Sequence, residues 1–341
     1  MTAGERMFAL ADLSTPWALR AAVTLGLPDL VAAGTTDADG LAAATGADAG
    51  ALQRLLRHLA ARDVLAEIEP GRFTLTEDGQ TLRRGHPSRM ADWLDTSGAA
   101  GRMDAVWSRL PDSVRAGAPT YETVHGLPLY ADLAADAGLQ ASFDRLMSAD
   151  AVDYGVMLGG HDWSEARHVV DVGGGRGDLL AGLLGVHPHL RATLFEQPET
   201  LATADSVLAP LGSRVDRVAG NFLTDPLPAG ADRYVMASVL HNWDDDRART
   251  ILRGVAAAAA PDAQLLVVEE ARGDSVWATH LDLKMLLLLG GRERSAEELA
   301  GLAESAGLEP RGAEPCPRGP FGLDYTVHVF GVPAAGDRDG R

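Results

Sequence analysis

The segment Val169-Val-Asp-Val-Gly-Gly-Gly-Arg-Gly-Asp178 joins a short apolar run to a cluster of glycines. The apolar run is typical of a buried strand, and the glycines stand where that strand would turn into a helix starting near Asp178. Glycine permits a tight turn and leaves bare backbone for a ligand, while the first turn of a helix offers free N–H groups. The segment therefore predicts a strand, a turn and a helix built around a ligand site.

The spacing of these glycines differs from the dinucleotide-binding fingerprint. It is Gly173-x-Gly175-x-Gly177 rather than G-x-G-x-x-G, and Asp171 precedes it. A glycine turn alone does not establish a ligand site, since many strand-to-helix corners need glycine for structural reasons. A second feature agrees with the ligand interpretation: Glu196 closes the next β-rich run, where a carboxylate can accept both hydroxyls of a ribose.

From Arg167 towards the C-terminus, short β-rich runs alternate with helical segments. The runs are His168 to Val172, Ala192 to Glu196, Tyr234 to Val239, Leu265 to Glu269, and a late pair near Pro310 and at Tyr325 to Val332. This alternation predicts an α/β fold class, a Rossmann-like doubly wound domain, which we place at residues 161–341.

The N-terminal part has a different pattern. Apolar residues at helical spacing lie on both sides of the turn Gly46 to Gly50, and a hairpin around Pro70-Gly71 follows. This order predicts a mainly α, winged-helix-like domain at residues 1–90. Residues 91–160 are helical in pattern and form a predicted connecting layer.

Composition excludes several classes of protein. The chain has 341 residues, of which 46% are hydrophobic, and a net charge of -18, so it should fold into more than one domain and repel nucleic acid. One cysteine excludes an internal disulfide and a cysteine-based zinc site. No secretory signal is present, and the longest apolar run, Met285 to Leu289, is far too short to cross a membrane, so we expect a cytoplasmic protein.

Several motifs in order resemble the class I S-adenosylmethionine-dependent methyltransferases, and more narrowly the small-molecule O-methyltransferases of plants and of bacterial polyketide tailoring. They are Asp171 to Gly177, Glu196, Gly220-Asn-Phe222, Leu240-His-Asn-Trp-Asp244, Leu265 to Glu269, Leu281-Asp-Leu-Lys-Met285 and Gly290-Gly-Arg-Glu-Arg294. The resemblance covers almost the whole chain. The segment His161 to His168 resembles the anthracycline-type branch, which includes carminomycin 4-O-methyltransferase and a hydroxylase relative.

This resemblance implies S-adenosyl-L-methionine as cofactor and S-adenosyl-L-homocysteine as product. It also implies a small aromatic, polyketide-like substrate and a homodimer formed through the N-terminal domain, with no nucleic-acid or membrane partner. Gly173 and Gly175 would lie under the methionine part of the cofactor, and Asp171, which precedes them, is a further cofactor-binding candidate. Glu196 would hold the ribose. Asn221 and Phe222 match positions that flank adenine, and Ser238 stands beside a cofactor-contacting position.

His241 is the candidate general base. It follows a predicted strand, and doubly wound folds build their sites at the carboxyl ends of parallel strands. Its neutral imidazole can take a phenol proton as the oxygen attacks a sulfonium methyl group. The resemblance implies that Glu269 and Glu293 orient the imidazole, with Glu270 competing for the first of these positions. No cluster of metal ligands is evident from the spacing, so we predict no metal site.

An apolar stripe on the connecting helix, and two segments that cover the substrate in the family, give the candidate substrate residues. They are Phe143, Met147, Asp150, Trp243, Met285 and Leu289.

Two alternatives stay open at this point. The same fold could serve N- or C-methylation, or a cofactor-dependent hydroxylation of a polyketide. The other alternative is a winged-helix transcriptional regulator. However, residues 1–100 hold 9 arginines against 13 acidic residues, and this net negative charge is the wrong sign for binding DNA phosphates.

Overall fold

The structure is a computed structural model that describes residues 1–270, 275–316 and 325–333, except for the side chains of residues 148–157. It consists of two compact units. The first is Met1–Ala105 with Asp136–Leu146, and the second is Val106–Ala135 with Met147–Arg341. The boundary therefore falls inside one helix, and the division at 90 and 160 stays a prediction.

The first unit contains the winged-helix pattern. A helix pair, α4 (Ala38–Thr45) and α5 (Ala49–Ala60), leads into the antiparallel hairpin of β1 (Leu65–Glu69) and β2 (Arg72–Leu75). Leu41, Leu56 and Phe73 form the centre of its apolar core. Its helices are α1 (Ala3–Ala11), α2 (Ser14–Thr24), α3 (Leu27–Ala32), α4 (Ala38–Thr45), α5 (Ala49–Ala60), α6 (Glu77–Gln80), α7 (Met90–Leu94) and α8 (Ala99–Asp104), and a 3-10 helix (Ala105–Arg109) follows.

The second unit is built on a seven-stranded sheet in the order β5-β4-β3-β6-β7-β9-β8. The first five of these strands are parallel, and β9 is antiparallel to both of its neighbours. The strands are β3 (His168–Val172), β4 (Arg191–Glu196), β5 (Val215–Ala219), β6 (Arg233–Ala237), β7 (Gln264–Glu270), β8 (Glu309–Pro315) and β9 (Tyr325–Gly331). This order confirms the predicted doubly wound α/β fold.

Helices cover both faces of the sheet. In chain order the helices of this unit are α9 (Leu110–Ala116), α10 (Tyr121–His125), α11 (Leu129–Ala135), α12 (Ala137–Met157), which begins in the first unit, then α13 (Asp178–Val186), α14 (Pro198–Leu201), α15 (Asp205–Leu208), α16 (Asp245–Ala258), α17 (Val276–Leu289) and α18 (Ala296–Ser305), with 3-10 helices at Leu158–Gly160, Ala209–Arg214 and Leu240–Asn242. None of the helices in the described ranges is long and apolar enough to cross a membrane.

Alternate residues of each central strand enter different apolar clusters. Val170 packs with α16 and α18 on one face, whereas Val169 packs with α13 on the other. Strands buried on both faces read as continuous apolar runs, which is why the sequence pattern finds them.

The pattern of apolar runs does not predict the edge strand β5. Four of its five residues are exposed, so Val215-Asp-Arg-Val-Ala219 carries no apolar run. Only the resemblance places a strand before Asn221.

The chain reverses its direction of strand addition between β3 and β6. Two strands are added on one side of β3, and β6 then returns to its other side. Ligands of open α/β sheets bind at such a reversal, beyond the carboxyl ends of the strands. The glycine turn after β3 and the His241 segment after β6 both lie at this edge.

We predict that Gly174→Ala destabilises the protein by about 1–3 kcal/mol, as overpacking does. A Cβ at Gly174 would overlap the buried carboxylate of Asp171. The matched control is Gly185→Ala in α13, where a Cβ meets nothing within 4 Å, and where alanine should stabilise by about 0.5 kcal/mol through helix propensity. Urea unfolding measures both variants, and equal free energies of unfolding would contradict the prediction.

Candidate active site

The glycine turn approaches the site with its backbone. Gly173 has φ of 73° and Gly175 has φ of 59°, a region that favours glycine. A Cβ at Gly173 would lie 3.2 Å from Phe222 Cε1 and 3.3 Å from Val239 Cγ2. The turn therefore brings together two of the predicted cofactor residues, Gly173 and Phe222.

Two carboxylates border this turn. Glu196 Oε2 accepts the N–H of Gly175 at 3.0 Å, and Glu196 Oε1 accepts the N–H of Gln197 at 2.6 Å. Asp171 is fully buried, and neither of its carboxylate oxygens has a hydrogen-bond partner in the described part of the chain. Burial, followed by the negative charge of Glu196, raises the pKa of Asp171 to about 7. A buried carboxylate without a partner is costly, so this corner suits a ligand that carries a positive charge.

The predicted adenine-side residues have different settings. Asn221 is exposed, and its Oδ1 accepts the N–H of Leu223 at 3.0 Å, which leaves its amide nitrogen able to donate to a ligand. Phe222 is half-buried and meets Trp243 edge to face, with ring centroids 5.8 Å apart. Ser238 directly follows β6 with φ of 52°, and its carbonyl accepts Asn242 Nδ2 at 3.1 Å.

The 3-10 helix Leu240–Asn242 presents His241 between two buried glutamates. His241 Nδ1 lies 2.7 Å from Glu293 Oε1 and 3.6 Å from Glu269 Oε2. Glu269 Oε1 also accepts the N–H groups of Leu240 and His241, at 2.8 and 3.3 Å. The structure thus brings together the three residues that the sequence analysis selected as base and orienting groups.

Opposing effects act on the imidazole of His241. Burial lowers its pKa, but the carboxylates of Glu293, Glu269 and Glu270 outweigh burial and raise the pKa to about 9. The pKa of Glu269 is raised, first by burial. The hydrogen bond to Glu293 holds a proton on Nδ1, so in the neutral imidazole the lone pair is on Nε2, which has no hydrogen-bond partner among the described residues.

His241, Glu269 and Glu293 also form a group that could hold a metal ion, with ligand atoms within 4.8 Å of one another. The sequence analysis sees no such cluster because its members come from three separate segments. The contact of 2.7 Å between Nδ1 and Glu293 Oε1 is a hydrogen-bond distance, so these two atoms share a proton here.

The candidate substrate residues lie in several places. Trp243 is half-buried beside Phe222, and Met285 and Leu289 lie on α17, buried and half-buried. Phe143 is half-buried in the first unit, and Met147 is 38% exposed. Asp150 is outside the side chains that the structure describes.

The sequence analysis missed Tyr130, which lies on α11 with its ring centroid 6.4 Å from that of Trp243. Burial, and then the charge of Glu196, raise the pKa of Tyr130. No motif marks this residue, because it belongs to a short helix far from the glycine turn in sequence.

The strand order, the glycine turn after β3, the carboxylate that ends β4 and the histidine after β6 define a class I S-adenosylmethionine-dependent methyltransferase. The O-methyltransferase domain family matches residues 107–309, and the O-methyltransferase dimerisation domain matches residues 8–84. The chain belongs to this O-methyltransferase family, as the motifs predict.

Relatives with known activities share most of the chain. The 2,7-dihydroxy-5-methyl-1-naphthoate 7-O-methyltransferase of Streptomyces carzinostaticus is 44% identical over 90% of this chain and 93% of its own. Aclacinomycin 10-hydroxylase RdmB of Streptomyces purpurascens is 42% identical over 88% of this chain and 82% of its own.

A solved structure agrees with this family assignment. NcsB1, an O-methyltransferase from neocarzinostatin biosynthesis, was solved in complex with S-adenosyl-L-homocysteine and 1,4-dihydroxy-2-naphthoic acid. It matches with a TM-score of 0.87 and 42% identity, covering 94% of this chain and 97% of NcsB1.

Proposed function

We propose that this protein methylates a hydroxyl group of an aromatic, polyketide-like natural product, with His241 as general base. The observation that carries the proposal is the buried contact of 2.7 Å between His241 Nδ1 and Glu293 Oε1, which leaves Nε2 for the substrate. The naphthoate substrate of the 44% identical relative supports a flat aromatic acceptor.

The acidic corner formed by Asp171 and Glu196 would hold the cofactor. The unpartnered carboxylate of Asp171 suits an ammonium group, and Glu196 at the end of β4 suits the ribose hydroxyls. Gly173, Gly175, Asn221, Phe222 and Ser238 would complete this cofactor site. When bound, S-adenosyl-L-methionine supplies an electrophilic methyl group.

His241 acts on the other reactant. Its Nε2 takes the proton of the phenol as the oxygen becomes the nucleophile, and Glu293 stabilises the imidazolium that forms. Trp243, Met285 and Leu289 would provide apolar walls for the ring. Phe143, Met147 and Asp150 stay substrate candidates predicted from the sequence.

The pKa of His241 is suited to this proton transfer. A base with a pKa of about 9 is close to the pKa of about 10 for a tyrosine-like phenol, so the transfer is nearly balanced in energy. In the free protein at neutral pH, however, most molecules carry the imidazole in its protonated form. The reaction should therefore be faster at alkaline pH.

A second candidate function keeps the fold and the cofactor but changes the chemistry. The hydroxylase relative at 42% identity shows that a chain this similar can have another activity. Hydroxylation of a polyketide is therefore the alternative, and N- or C-methylation are further variants of the same architecture.

We also infer a homodimer formed through the N-terminal domain. Helix α1 has no buried residue, and its apolar side chains Met7, Phe8 and Leu10 are exposed. The match to a dimerisation domain begins within this helix, at Phe8, which supports a second copy of the chain as its cover.

The proposed activity is tested by incubating the protein with S-adenosyl-L-methionine and a panel of hydroxylated naphthoates, polycyclic phenols and simple phenols. Mass spectrometry should find a product heavier by one methylene group, with an equal amount of S-adenosyl-L-homocysteine. A product heavier by one oxygen atom would instead support the hydroxylase alternative.

His241→Ala should lower kcat by about 10²–10⁴-fold, because general base catalysis is lost, while the Kd for S-adenosyl-L-homocysteine stays the same. Glu196→Gln should do the reverse, raising that Kd with a smaller effect on kcat. Calorimetry and steady-state rates measure these quantities, and wild-type turnover in His241→Ala would remove the role of His241.

In the wild type, kcat/KM measured across pH should fall about tenfold per pH unit below the pKa of His241, about 9.

Sedimentation equilibrium should give a mass twice the 35.8 kDa of the chain. Phe8→Asp should shift the mass towards the monomer, because it places a charge on the apolar face of α1. Arg6→Gln on the same helix is the matched control and should remain dimeric. A stable wild-type monomer would contradict the inferred homodimer.

A further inference from the structure

The segment Gly290–Arg294 lies against the segment Leu240–Asp245, which carries His241. We call the first the clamp segment and the second the base segment. Gly291 is buried, and a Cβ there would overlap the carbonyl oxygen of His241. The two backbones are therefore in direct contact at the candidate base, and only glycine permits this approach.

Two neighbouring side chains of the clamp segment bind the base segment in different ways. Glu293 binds the imidazole of His241 through its Oε1. Arg294 binds the backbone on either side of His241: Nη1 donates to the carbonyl of Leu240 at 2.9 Å, and Nη2 donates to the carbonyl of Trp243 at 2.7 Å. The residue that orients the ring is thus adjacent to one that holds the backbone.

A carboxylate of the base segment completes the set. Asp245 Oδ1 accepts Nη2 and Nε of Arg294 at 2.8 and 3.0 Å. The side chain of Arg294 is 4% exposed, so its charge needs this partner. All three guanidinium nitrogens are used, and they reach three acceptors at fixed angles. Lysine, with a single ammonium group, cannot reproduce this fork.

We propose that Arg294 is a positioning residue for the reaction, which fixes the base segment so that His241 stays between Glu293 and Glu269. This inference rests on the proposed role of His241 as general base. Without the guanidinium, the carbonyls of Leu240 and Trp243 each lose a charged donor. The contacts that remain at His241 are the close approach of Gly291, the bonds of Glu269 to the N–H groups of Leu240 and His241, and the ring itself. The imidazole then leaves its carboxylate partners for part of the time.

The charge of Arg294 and its position have opposite effects on the pKa of His241. A positive charge nearby lowers the pKa of an imidazole, so simple removal of the charge would raise it. Loss of the contacts with Glu293 and Glu269 lowers the pKa from about 9 towards the ordinary value of 6.5. Arg294→Lys keeps the positive charge but removes the fork. A change in the pKa of His241 in this variant therefore reports the position of the imidazole and not the loss of a charge.

The test uses the full chain labelled with ¹³C in the histidine rings. The His241 signal is identified by its absence from His241→Ala, and its pKa is measured by NMR in the wild type, Arg294→Lys and Glu293→Gln. Glu293→Gln removes a carboxylate from the ring and should lower the pKa of His241. We expect Arg294→Lys to lower this pKa in the same direction, by at least about one unit, and to lower kcat about 10–100-fold, as for other residues that orient a reacting group. The Kd for S-adenosyl-L-homocysteine should change less than about twofold, because the fork does not touch the acidic corner.

Arg292→Gln is the matched control. Arg292 binds the same Asp245 at 3.3 Å and also Glu298, but it is 42% exposed and bonds to no carbonyl of the base segment. It should leave both kcat and the pKa of His241 unchanged. If Arg294→Lys does not fold, Asp245→Asn decides the question, since it weakens the hold on Arg294 and should lower the pKa in the same direction.

An unchanged or raised pKa of His241 in a folded Arg294→Lys variant would overturn the positioning role. The NMR measurement needs no substrate, so it separates this inference from the proposed function. Full turnover in His241→Ala would remove the base role, whereas the pKa of His241 alone decides whether Arg294 holds the ring in place.

Discussion

A buried imidazole between two buried carboxylates is the interaction on which the site depends. His241, Glu269 and Glu293 are each at most 11% exposed in their side chains, and their charges compensate one another away from water. Removing one partner of such a buried pair costs about 3–5 kcal/mol, because the charge that remains has no compensation. The three residues come from the end of β6, the end of β7 and the segment before α18. Their contact therefore constrains these elements to a single arrangement.

The other half of the site follows from a different constraint. The glycine turn after β3 must bend within four residues and remain bare, so it carries positive φ angles that other residues rarely adopt. Asp171 and Glu196 then border the bare backbone of Gly173 to Gly175. Negative charge surrounds this surface, and the aromatic rings of Phe222, Trp243 and Tyr130 lie along its side. A flat, positively charged ligand meets both requirements.

The sequence predicts those parts of the molecule whose signal is local. The central strands are found because both of their faces are buried, and the glycine turn is found because no other residue type fits it. Strand β5 is hidden since an exposed edge strand has no apolar period. His241 is noticed because it follows a strand, but only the family resemblance pairs it with Glu293, because proximity between distant segments leaves no mark on residue spacing. For the same reason the potential metal cluster and the contacts of Arg294 become visible only in three dimensions, although the arginine belongs to a motif that the sequence analysis quotes.

The raised pKa of His241 has a consequence for ligand binding. At neutral pH most of the free molecules therefore carry the protonated imidazole. A cation bound nearby repels the proton of the imidazolium, and thermodynamic reciprocity requires that the proton in turn weakens the binding of that cation. A neutral ligand of the same shape is not subject to this competition. The two glutamates thus link the protonation state of His241 to the charge of whatever occupies the neighbouring site, and a positively charged ligand there favours the neutral imidazole.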